Sequence, residues 1–534
     1  MYFTLCKAVS TASIVCLVLF ICSSARSQEN EHRARQIESI REAHNELPVD
    51  AWLSVDRVRQ NRSPAQPRTL GPFVSVQVNV DAAGNNIVGD AANEPSIAMN
   101  PVDNDNMVVG WRQFDTISNN FRQAGMAFTN NGGTSWNNEG PLEPGVFRSD
   151  PVLDADRDGN IYYYSLSTNS TFTDFFCDMF ISEDGGATWS APIPAGGGDK
   201  QWMVVDRTAS TSDGFIHAIW NRFFTCCPPG YFTRSTDGGL NYLEPIDIAQ
   251  DIFWGTLTVG PDGEVYICGR NLANDPIVIR SDNADELVTP TFPQATIVDM
   301  NGSSTNSVGP NPGGLLGQYD IETDHSSGPN RGNVYFLGST EPPGPDPLDI
   351  VFSRSVDGGL TWSSPIRVNN DEPADDAYNW FGTMSVAPDG RIDVIWNQQD
   401  PATLLSAMHY STSFDAGLTW TVSVQVTDAF DPLIGHPNQN KIGDYYDMRS
   451  SNDAVHVAYS ATFNGEQDVY YLRIPVGEVL LGDVNQDGLV NLLDVAPFIA
   501  VLSSGNYQGA ADCNKDGTVN LLDVDPFVAI LTGS

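Results

Sequence analysis

The stretch SRSVDGGLTW, residues 353–362, decides the fold because the chain repeats it at nearly regular spacing. Copies of its core, Ser355–Trp362, read TNNGGTSW at 129–136, SEDGGATW at 182–189, STDGGLNY at 235–242 and SFDAGLTW at 413–420. The third positions of the copies fall at 131, 184, 237, 357 and 415. The interval from 237 to 357 is about twice as long as the others, so it has room for a further unit. The run IRSDNADE at 279–286 lies in that interval and reads as an eroded copy. A repeat of roughly 50–60 residues is typical of solenoids and propellers.

Composition limits the class of protein. The chain has 534 residues, 41% of them hydrophobic, with 47 Gly and 34 Pro, which favours a β-rich, turn-rich globular protein. It carries 27 basic against 67 acidic residues, a formal net charge of −40. A nucleic-acid partner is excluded, because phosphate binding needs clustered Lys and Arg. The acidity suits a salty or calcium-bearing medium, and simple solubility explains it equally well.

The N-terminal segment predicts export. Residues 1–27 have a positive start, an apolar stretch and a small-x-small cleavage site, as in a signal peptide. Residues 28–71 are polar and read as an N-terminal segment followed by a linker. No other apolar run approaches 18 residues, so no membrane span is predicted and the protein is expected to be secreted or at the cell surface. In that setting Cys226 and Cys227 pair with each other, or one of the two pairs with Cys177, and the odd count leaves one thiol, such as Cys513.

Each repeat follows a four-strand pattern. A short strand rich in Val, Ile and Tyr opens the unit, a second and third follow, and the repeated motif leads into a fourth. Seven opening strands are predicted, at 95–101, 150–156, 202–207, 255–263, 318–324, 382–390 and 445–451. The last unit lacks its fourth strand, and PFVSVQVNVD at 72–81 resembles the missing one. The pattern predicts an all-β, seven-bladed β-propeller over residues 72–476, closed by its N-terminal strand, with six blades as the alternative.

The repeated motif resembles the Asp-box repeats of sialidases and related propellers. The motif itself is predicted to be the turn between the third and fourth strands, in which the glycines allow the backbone angles and Trp362 packs beside the turn. A calcium-binding role for the acidic turn is the alternative. The resemblance implies the fold, but the sialidase catalytic motif is not found. The arginine-isoleucine-proline motif that should precede the first box occurs here only at 473–475, after the last box, so no sialidase residue is carried over.

Propeller geometry nominates a site without any alignment. The starts of inner strands and the loops after second strands meet at one mouth of the channel, on the face opposite the boxes. Residues there that suit catalysis are Asp150, Tyr319, Asp320, Asp444 and Tyr445. Residues that suit substrate binding are Arg112, Arg148, Lys200, Trp202, Arg270 and Trp380. Carboxylate pairs serve glycoside hydrolysis, Arg binds anionic groups, and aromatic rings stack on sugars. Polar residues that merely tie blades together are the structural alternative.

The C-terminal residues 477–534 predict a small α-helical calcium module. Two 12-residue loops, at 483–494 and 512–523, place oxygen ligands and a turn-forming glycine where Ca²⁺ binding requires them, and each runs into an apolar helix. The predicted ligands of two Ca²⁺ ions are Asp483, Asn485, Asp487, Leu489, Asn491, Asp494, Asp512, Asn514, Asp516, Thr518, Asn520 and Asp523. Paired loops of this kind, each with Asp at position 12, resemble type I dockerin domains, which implies a cohesin-type partner. A calcium-folded terminal module with no cohesin partner is the alternative.

Together these features favour a secreted carbohydrate-active protein, a glycoside hydrolase or sialidase-like enzyme that acts on an extracellular acidic glycan and is attached through the dockerin-like module. A non-catalytic propeller that binds a glycan or protein, and a cell-surface scaffold protein, are the alternatives.

Overall fold

A computed structural model of the chain describes residues 49–169, 174–222, 224–306, 308–372, 376–476, 481–485, 490–504, 509–514 and 519–532. The predicted signal peptide, residues 1–27, lies outside the described residues. Between residues 68 and 475 the chain forms seven antiparallel sheets, six of them built from consecutive strands and the seventh completed by two N-terminal strands. These are the blades of a seven-bladed β-propeller, and the predicted fold is confirmed.

The blades are numbered in chain order, and their strands are given from the channel outwards. Blade 1 has Ala91–Met99, Asn106–Phe114 and Gln123–Asn130. Blade 2 has Ser149–Ala155, Ile161–Thr168, Phe175–Ser182 and Ile193–Pro194. Blade 3 has Trp202–Val205, Ile216–Ile219 and Phe232–Ser235. Blade 4 has Leu257–Val259, Val265–Arg270, Pro276–Ser281 and Gln294–Ile297. Blade 5 has Asp320–Thr323, Val334–Thr340, Asp349–Ser355 and Ile366–Arg367. Blade 6 has Asn379–Val386, Ile392–Gln399, Ser406–Ser413 and Val424–Gln425. Blade 7 has Asp447–Ser450, Ala454–Ala461 and Asp468–Pro475.

The N-terminal strand closes the ring. Phe73–Gln77 pairs antiparallel with the third strand of blade 7, with Ser75 opposite Leu472. Arg68–Leu70 adds a fifth strand outside it, within the segment expected to be a linker. Two further short strands, Arg62–Pro64 and Asn85–Ile87, pair with each other. The first and last parts of the propeller are therefore joined by main-chain hydrogen bonds, which cover the outer edge of the third strand of blade 7.

Blades 1 and 3 depart from the predicted four strands. In each, the fourth strand is reduced to a single bridge, Phe128 to Asn137 and Phe232 to Ile246. Pro141 and Pro245 lie in these stretches, and proline cannot donate a ladder hydrogen bond. The outer edges of these two blades are correspondingly short.

The Asp box stabilises the turn between the third and fourth strands of a blade by hydrogen bonds. Ser355 Oγ accepts the N–H of Gly359 at 2.8 Å and donates to Asp357 at 2.8 Å. Asp357 in turn accepts the N–H of Thr361 at 2.9 Å and its hydroxyl at 2.6 Å. Gly358 and Gly359 have φ of +71° and +80°, a region that side chains with a Cβ rarely adopt. In the eroded copy of blade 4 the hydroxyl of Ser281 donates to Asn283 at 3.1 Å, so the amide takes the place of the carboxylate.

The boxes also join neighbouring blades. Arg280 of blade 4 donates to the carbonyl of Gly358 in the box of blade 5 at 3.0 Å. Arg354 of blade 5 donates in the same way to Ala416 of blade 6 at 3.2 Å. Asn106, at the turn between the first two strands of blade 1, donates to Gly185 of blade 2 at 2.9 Å. The boxes therefore lie on the face where the inner strands end.

The C-terminal residues form short helices. Two α-helices, Val495–Ser504 and Val524–Thr532, each follow a 3₁₀ turn, Leu492–Asp494 and Leu521–Asp523, and a third 3₁₀ turn spans Gly509–Ala511. Phe498 and Phe527 stack face to face with centroids 4.0 Å apart and join the two helices. Neither helix, nor any other in the described ranges, has the length and apolarity to cross a membrane.

Of the two cysteine pairings open from the sequence, the structure has Cys226 bonded to Cys227. Cys177, Cys268 and Cys513 are buried free thiols.

Candidate functional site

The end of the channel where inner strands begin is filled by charge. Six charged side chains from blades 1, 2, 3 and 7 meet there, and none is more than 4% exposed: Glu94, Arg112, Asp150, Lys200, Lys441 and Asp444. We call this set the buried charge cluster. Lys200 contacts both Asp150, at 3.3 Å, and Asp444. Arg112 pairs with Glu94 at 3.1 Å. Three carboxyl groups thus face three cations, and burial raises the pKa of one of these carboxyls, Glu94, to about 8.

Backbone conformation brings these side chains inward. Glu94, Asp150 and Lys200 stand at equivalent inner-strand starts and have φ of 49°, 46° and 54°. Left-handed angles are uncommon for residues with a Cβ, and here they accompany register shifts in blades 1 and 2. Such a bulge re-aims a side chain that a regular strand would direct elsewhere.

A loop seals this end. The side chain of Asn311 donates to the carbonyl of Gly443 at 2.8 Å and accepts the N–H of Ile442 at 3.1 Å. The N–H of Leu315 donates to Asp444 at 2.9 Å. The connection between blades 4 and 5 is therefore fastened over the connection between blades 6 and 7. Because these bonds are buried, solvent does not reach the buried charge cluster.

The space in the channel lies towards the other end. A cavity of about 580 Å³ runs along the inner strands and opens beside exposed Pro101, Asn104 and Pro388, on the face that carries the boxes. Its charged lining residues are Asp154, Arg207, Asp320, Glu322, Asp447, Arg449 and, at the rim, Asp453. A volume of several hundred Å³ is typical of small-molecule sites. We call it the channel cavity.

Several polar side chains of the cavity wall tie blades together. The carboxylates of Asp154, Asp320 and Asp447 accept the main-chain N–H of Val205, Met384 and Ile97, each in the next blade, at 2.8, 2.8 and 3.0 Å. Hydroxyls of Ser96, Thr256 and Ser385 accept the N–H of Leu153, Ile321 and Ser450 in the same way. Six of the seven blade junctions therefore have such a tie. These carboxylates have a structural role whether or not they also meet a ligand.

Glu322 differs from the other acids of the cavity. Its described hydrogen-bond partner is the hydroxyl of Thr258, at 3.3 Å, and no main-chain N–H holds it. Burial, helped by the charge of nearby Asp320, raises the pKa of Glu322 to about 8. Burial raises the pKa of Asp320 to about 6. Near pH 7 the inner strand of blade 5 therefore presents one protonated carboxyl, Glu322, and one largely ionised carboxyl, Asp320, two residues apart on the same strand face.

The cations of the cavity are already paired. Arg207 donates to Asp154 and to the carbonyl of Ala155. Arg449 donates to Asp447 at 2.5 Å, and this carboxylate together with Asp154 raises the pKa of the guanidinium. The same two arginines lower the pKa of Asp154 in spite of its burial. Each guanidinium is therefore offset by a carboxylate of the protein.

The structure distributes the site residues nominated from the sequence over three places. Asp150, Lys200, Arg112 and Asp444 belong to the buried charge cluster. Asp320, Tyr319, Tyr445 and Trp202 line the channel cavity, but the hydroxyls of the two tyrosines bond to main-chain groups at Ser304 and Pro151. Three nominated residues lie elsewhere: Arg148 pairs with Glu143 and Asp178, Arg270 stacks on Trp254, and Trp380 packs in the core.

Sequence reasoning missed Glu322, Asp154, Arg207, Asp447 and Arg449. The signal for Glu322 was available, since alternation along a strand puts residues 320 and 322 on the same face. Glu322 lies past the start of its inner strand, whereas propeller geometry nominates only strand starts. The positions of Arg207 and Arg449 in the cavity could not be predicted, because each meets groups on another blade and the sequence does not show which groups meet there.

The described parts of the two C-terminal loops contain buried carboxylates of the kind that bind Ca²⁺. Asp494 and Asp523 are fully buried, and each accepts two main-chain N–H groups, from Asn485 and Asn491 and from Asn514 and Asn520. Asp483 and Asp512 are also buried at the loop starts. Carboxylate oxygens are the ligands that a hard cation such as Ca²⁺ prefers. Four predicted ligands, Asp487, Leu489, Asp516 and Thr518, lie outside the described residues, and no cluster of three acidic, His or Cys ligands is found in the rest.

Residues 481–526 match the family model of the dockerin type I domain. The expected resemblance of the C-terminal module to type I dockerin domains is confirmed, and the chain joins a seven-bladed propeller to a dockerin-like module.

Among solved structures, the propeller is similar to a protein of unknown function from Dyadobacter fermentans, at 14% identity and a TM-score of 0.43, covering 76% of this chain and 98% of that one. It is similar to the Hadza microbial sialidase Hz136, at 12% identity and a TM-score of 0.40, covering 72% and 65%. It is also similar to the α-L-arabinofuranosidase Arb93A from Fusarium graminearum, at 10% identity and a TM-score of 0.39, covering 75% and 97%. No curated protein sequence matches the chain.

Proposed function

We propose that this protein is an exported glycoside hydrolase, whose channel cavity holds the sugar and whose dockerin attaches it to a cohesin-type domain. The observation that carries the activity is the Asp320–Glu322 pair, two carboxyls on one strand face inside a cavity of sugar size. The Cα atoms of alternate strand residues are about 6.6–7 Å apart and their side chains project to the same face, so both carboxyls enter the same stretch of the cavity. Glycoside hydrolysis uses such a pair of carboxyls.

In this proposal the two carboxyls have opposite roles. Protonated Glu322 gives its proton to the glycosidic oxygen as the bond to the leaving sugar breaks. Ionised Asp320 uses Oδ1 to take a proton from the water that attacks the anomeric carbon. Oδ1 also accepts the hydroxyl of Thr256 at 3.1 Å, while Oδ2 stays bonded to the N–H of Met384. The raised pKa of Glu322, about 8, keeps it protonated at neutral pH, and Asp320, at about 6, is ionised there.

Attachment rests on the dockerin. Leu492 and Leu493 in the first unit, and Leu521 and Leu522 in the second, are 68–79% exposed. Two equivalent apolar pairs at equivalent positions of the duplicated module provide a surface for a protein partner. Export to the cell surface or medium is part of this proposal, and so are the two Ca²⁺ ions that the loops would hold.

The test is sugar release by the full chain. Neutral and acidic oligosaccharides are incubated with wild type, Glu322→Gln and Asp320→Asn, and new reducing ends are counted. We expect release to fall by about 10²-fold or more in both variants. Glu183→Gln, an exposed acid on the face that carries the boxes, is the matched control and should act like wild type.

The pH profile adds an independent readout. Activity should be bell-shaped between pH values of about 6 and 8, with the alkaline limb set by Glu322. Release that is unchanged in Glu322→Gln contradicts the assignment. Binding of a sugar without release by any enzyme form would establish the non-catalytic alternative instead.

A further inference from the structure

We infer that Thr256 is a positioning residue of the proposed active site: its hydroxyl group holds Asp320 as the base and thereby gives two neighbouring carboxyls opposite roles. This inference rests on the proposed function and deepens it, because it names the contact that distinguishes Asp320 from Glu322. Both carboxyls are half-buried on the inner strand of blade 5 and line the channel cavity, so the surroundings of each decide its protonation.

Two threonines of blade 4 face the Asp320–Glu322 pair. Thr256 immediately precedes the inner strand of blade 4, Thr258 lies within it, and both are buried. Their side chains project to the same face, because they are two residues apart on an extended strand. The hydroxyl of Thr256 donates to Oδ1 of Asp320 at 3.1 Å, and that of Thr258 donates to Oε2 of Glu322 at 3.3 Å. Each carboxyl therefore has one threonine of the preceding blade as a partner.

The hydroxyl of Thr256 is held in place by the main chain. Its oxygen accepts the N–H of Ile321 at 3.1 Å, which fixes the hydroxyl beside blade 5. Oδ2 of Asp320 accepts the N–H of Met384 at 2.8 Å, so both oxygens of this carboxyl have a donor. The described hydrogen bonds of Glu322 comprise only the longer one from the next threonine. Donors to a carboxylate favour its ionised form, so the hydrogen bonds favour ionisation of Asp320 before Glu322.

The ionisable groups around Asp320 do not replace this contact. Burial raises the pKa of Asp320 to about 6. From blade 7, Asp447 adds to this rise and Arg449 opposes it, so these two charges work against each other. The Cys268 thiol of blade 4 has a raised pKa because it is buried, and it is uncharged at neutral pH. The inner strand of blade 6, Asn379–Val386, has no ionisable side chain. Hydrogen-bond donors, rather than a neighbouring charge, therefore keep Asp320 ionised at neutral pH.

Ionisation of Asp320 also keeps the proton on Glu322. Burial raises the pKa of Glu322 to about 8, and the negative charge of Asp320, two residues away, adds to that rise. A contact that ionises Asp320 first therefore acts on both carboxyls. Without it, the two carboxyls would compete for one proton near neutral pH, and neither would be fixed as acid or base.

The experiment compares Thr256→Val with Thr256→Ser in the full chain. Valine keeps the shape of the side chain and removes the hydroxyl, whereas serine keeps the hydroxyl. Ser385→Ala is the matched control: it removes another hydroxyl that accepts a main-chain N–H of the next blade, that of Ser450 at 3.0 Å, and within the described residues Ser385 has no bond to the Asp320–Glu322 pair. Sugar release from xylotetraose, arabinotetraose, cellotetraose and sialyllactose, and unfolding in urea, are measured over about pH 5–9.

We expect Thr256→Val to move the acidic limb of the pH profile upwards by about one pH unit or more, the shift that follows from losing one hydrogen bond to a charged group. Near pH 6, kcat should then fall about fivefold, because the ionised fraction of Asp320 falls from about one half to about one tenth. KM should change little, because Thr256 acts through Asp320. Thr256→Ser should keep the wild-type profile, and Ser385→Ala should be less stable than wild type without any change in the profile.

The stability measurement tests the same contact without any sugar. A carboxyl whose pKa is raised by folding contributes stability below its unfolded pKa, and that contribution is lost as the pH rises through its folded pKa. In wild type this loss ends above about pH 6, but in Thr256→Val it continues to higher pH. The free energy of unfolding of Thr256→Val, relative to that of Thr256→Ser, should therefore fall as the pH rises from about 6 to about 8. The difference between Ser385→Ala and wild type should stay constant over the same range.

Two results overturn the inference: an acidic limb of Thr256→Val that coincides with that of Thr256→Ser, or a difference in unfolding free energy between these variants that is constant from about pH 6 to about pH 8. Thr256→Ala, which also removes the hydroxyl, takes the place of the valine variant if that variant does not fold. The proposed function fails separately. If wild type releases no sugar but the stability difference still changes with pH, the hydrolase is removed and the role of Thr256 in ionising Asp320 stands. If release needs Glu322 but Thr256→Val has the wild-type pH profile, the hydrolase stands and the inference fails.

Discussion

Replacing Lys200 by methionine should destabilise the propeller strongly, because Lys200 is the cation that holds two carboxylates of the buried charge cluster. Lys200 is 4% exposed and contacts Asp150 at 3.3 Å and Asp444. Lys200→Met keeps most of the side-chain volume but removes the cation that pairs with both Asp150 and Asp444. Removing one partner of a buried ion pair costs about 3–5 kcal/mol.

The effect on melting follows from the size of the propeller. Unfolding entropy of about 2.1 cal/mol/K per residue over roughly 400 residues gives about 0.85 kcal/mol per degree. A loss of 3–5 kcal/mol then lowers the melting temperature by about 4–6 °C. Denaturant midpoints measure the same loss where heating is irreversible. Arg157→Met is the control, because the Arg157–Asp213 pair is 49% and 37% exposed and should contribute under about 1 kcal/mol.

The pH dependence distinguishes lost charge from lost packing. In Lys200→Met a carboxylate that has lost its cation is expected to have a raised pKa in the folded state, so folding favours its protonated form. The stability deficit of the variant is therefore full above that raised pKa. It disappears as the pH falls towards the ordinary carboxyl value of about 3.9. The stability difference from wild type should therefore shrink between pH 7 and pH 4. A deficit below 1 kcal/mol, or one that does not change with pH, refutes the reasoning.

Four further predictions follow from other features. The pKa of Glu322 is raised from 4.5 to about 8, so the folded state keeps the proton of Glu322 at pH values where the unfolded state has lost it. The free energy of unfolding of wild type, relative to that of Glu322→Gln, should therefore fall as the pH rises from about 4.5 to 8. A free-energy difference that does not change with pH contradicts this prediction. Chelation with EDTA should abolish the helical circular dichroism of residues 481–532 and leave the propeller melting transition unchanged; a signal that ignores EDTA contradicts the calcium assignment. Ser355→Ala removes the acceptor of a buried box N–H and should cost about 1–3 kcal/mol in denaturant unfolding, against almost nothing for the exposed Val356→Ala. Deleting residues 49–77 should leave the third strand of blade 7 as an open edge, and light scattering should then show concentration-dependent association. A monomeric product of unchanged stability contradicts the role of the N-terminal strand in closing the ring.

Local signals were enough to predict the propeller. Each box fixes a turn through bonds within eight residues, as Ser355 and Asp357 show, and the flanking strands have the usual β-rich composition. The closing strand was also predictable, because Phe73–Gln77 keeps the pattern of a fourth strand although it lies far from its partner.

The site was predicted only in part, for a physical reason. Asp320 and Tyr445, nominated from propeller geometry, line the channel cavity, because the position of a residue along an inner strand sets its level along the channel axis. Whether that level is open depends on pairing between distant segments. Asp444 meets Lys200 across 244 residues, and Leu315 closes over Asp444 across 129. No local pattern encodes those contacts, so the sequence pointed to the sealed end.

The closing strand has a consequence for the order of events during synthesis. Val74 pairs with Arg473, so one of the first strands to leave the ribosome finds its partner only after nearly 400 further residues have been made. At about 5–20 residues per second that delay is roughly 20–80 s. During this time blades 1 to 6 can assemble as a curved stack, but the two ends of the stack stay exposed. The last blade therefore acts as a checkpoint: a ribosome that stalls or a chain that is truncated before residue 475 leaves a ring that cannot shut, with its unpaired ends accessible to chaperones and proteases.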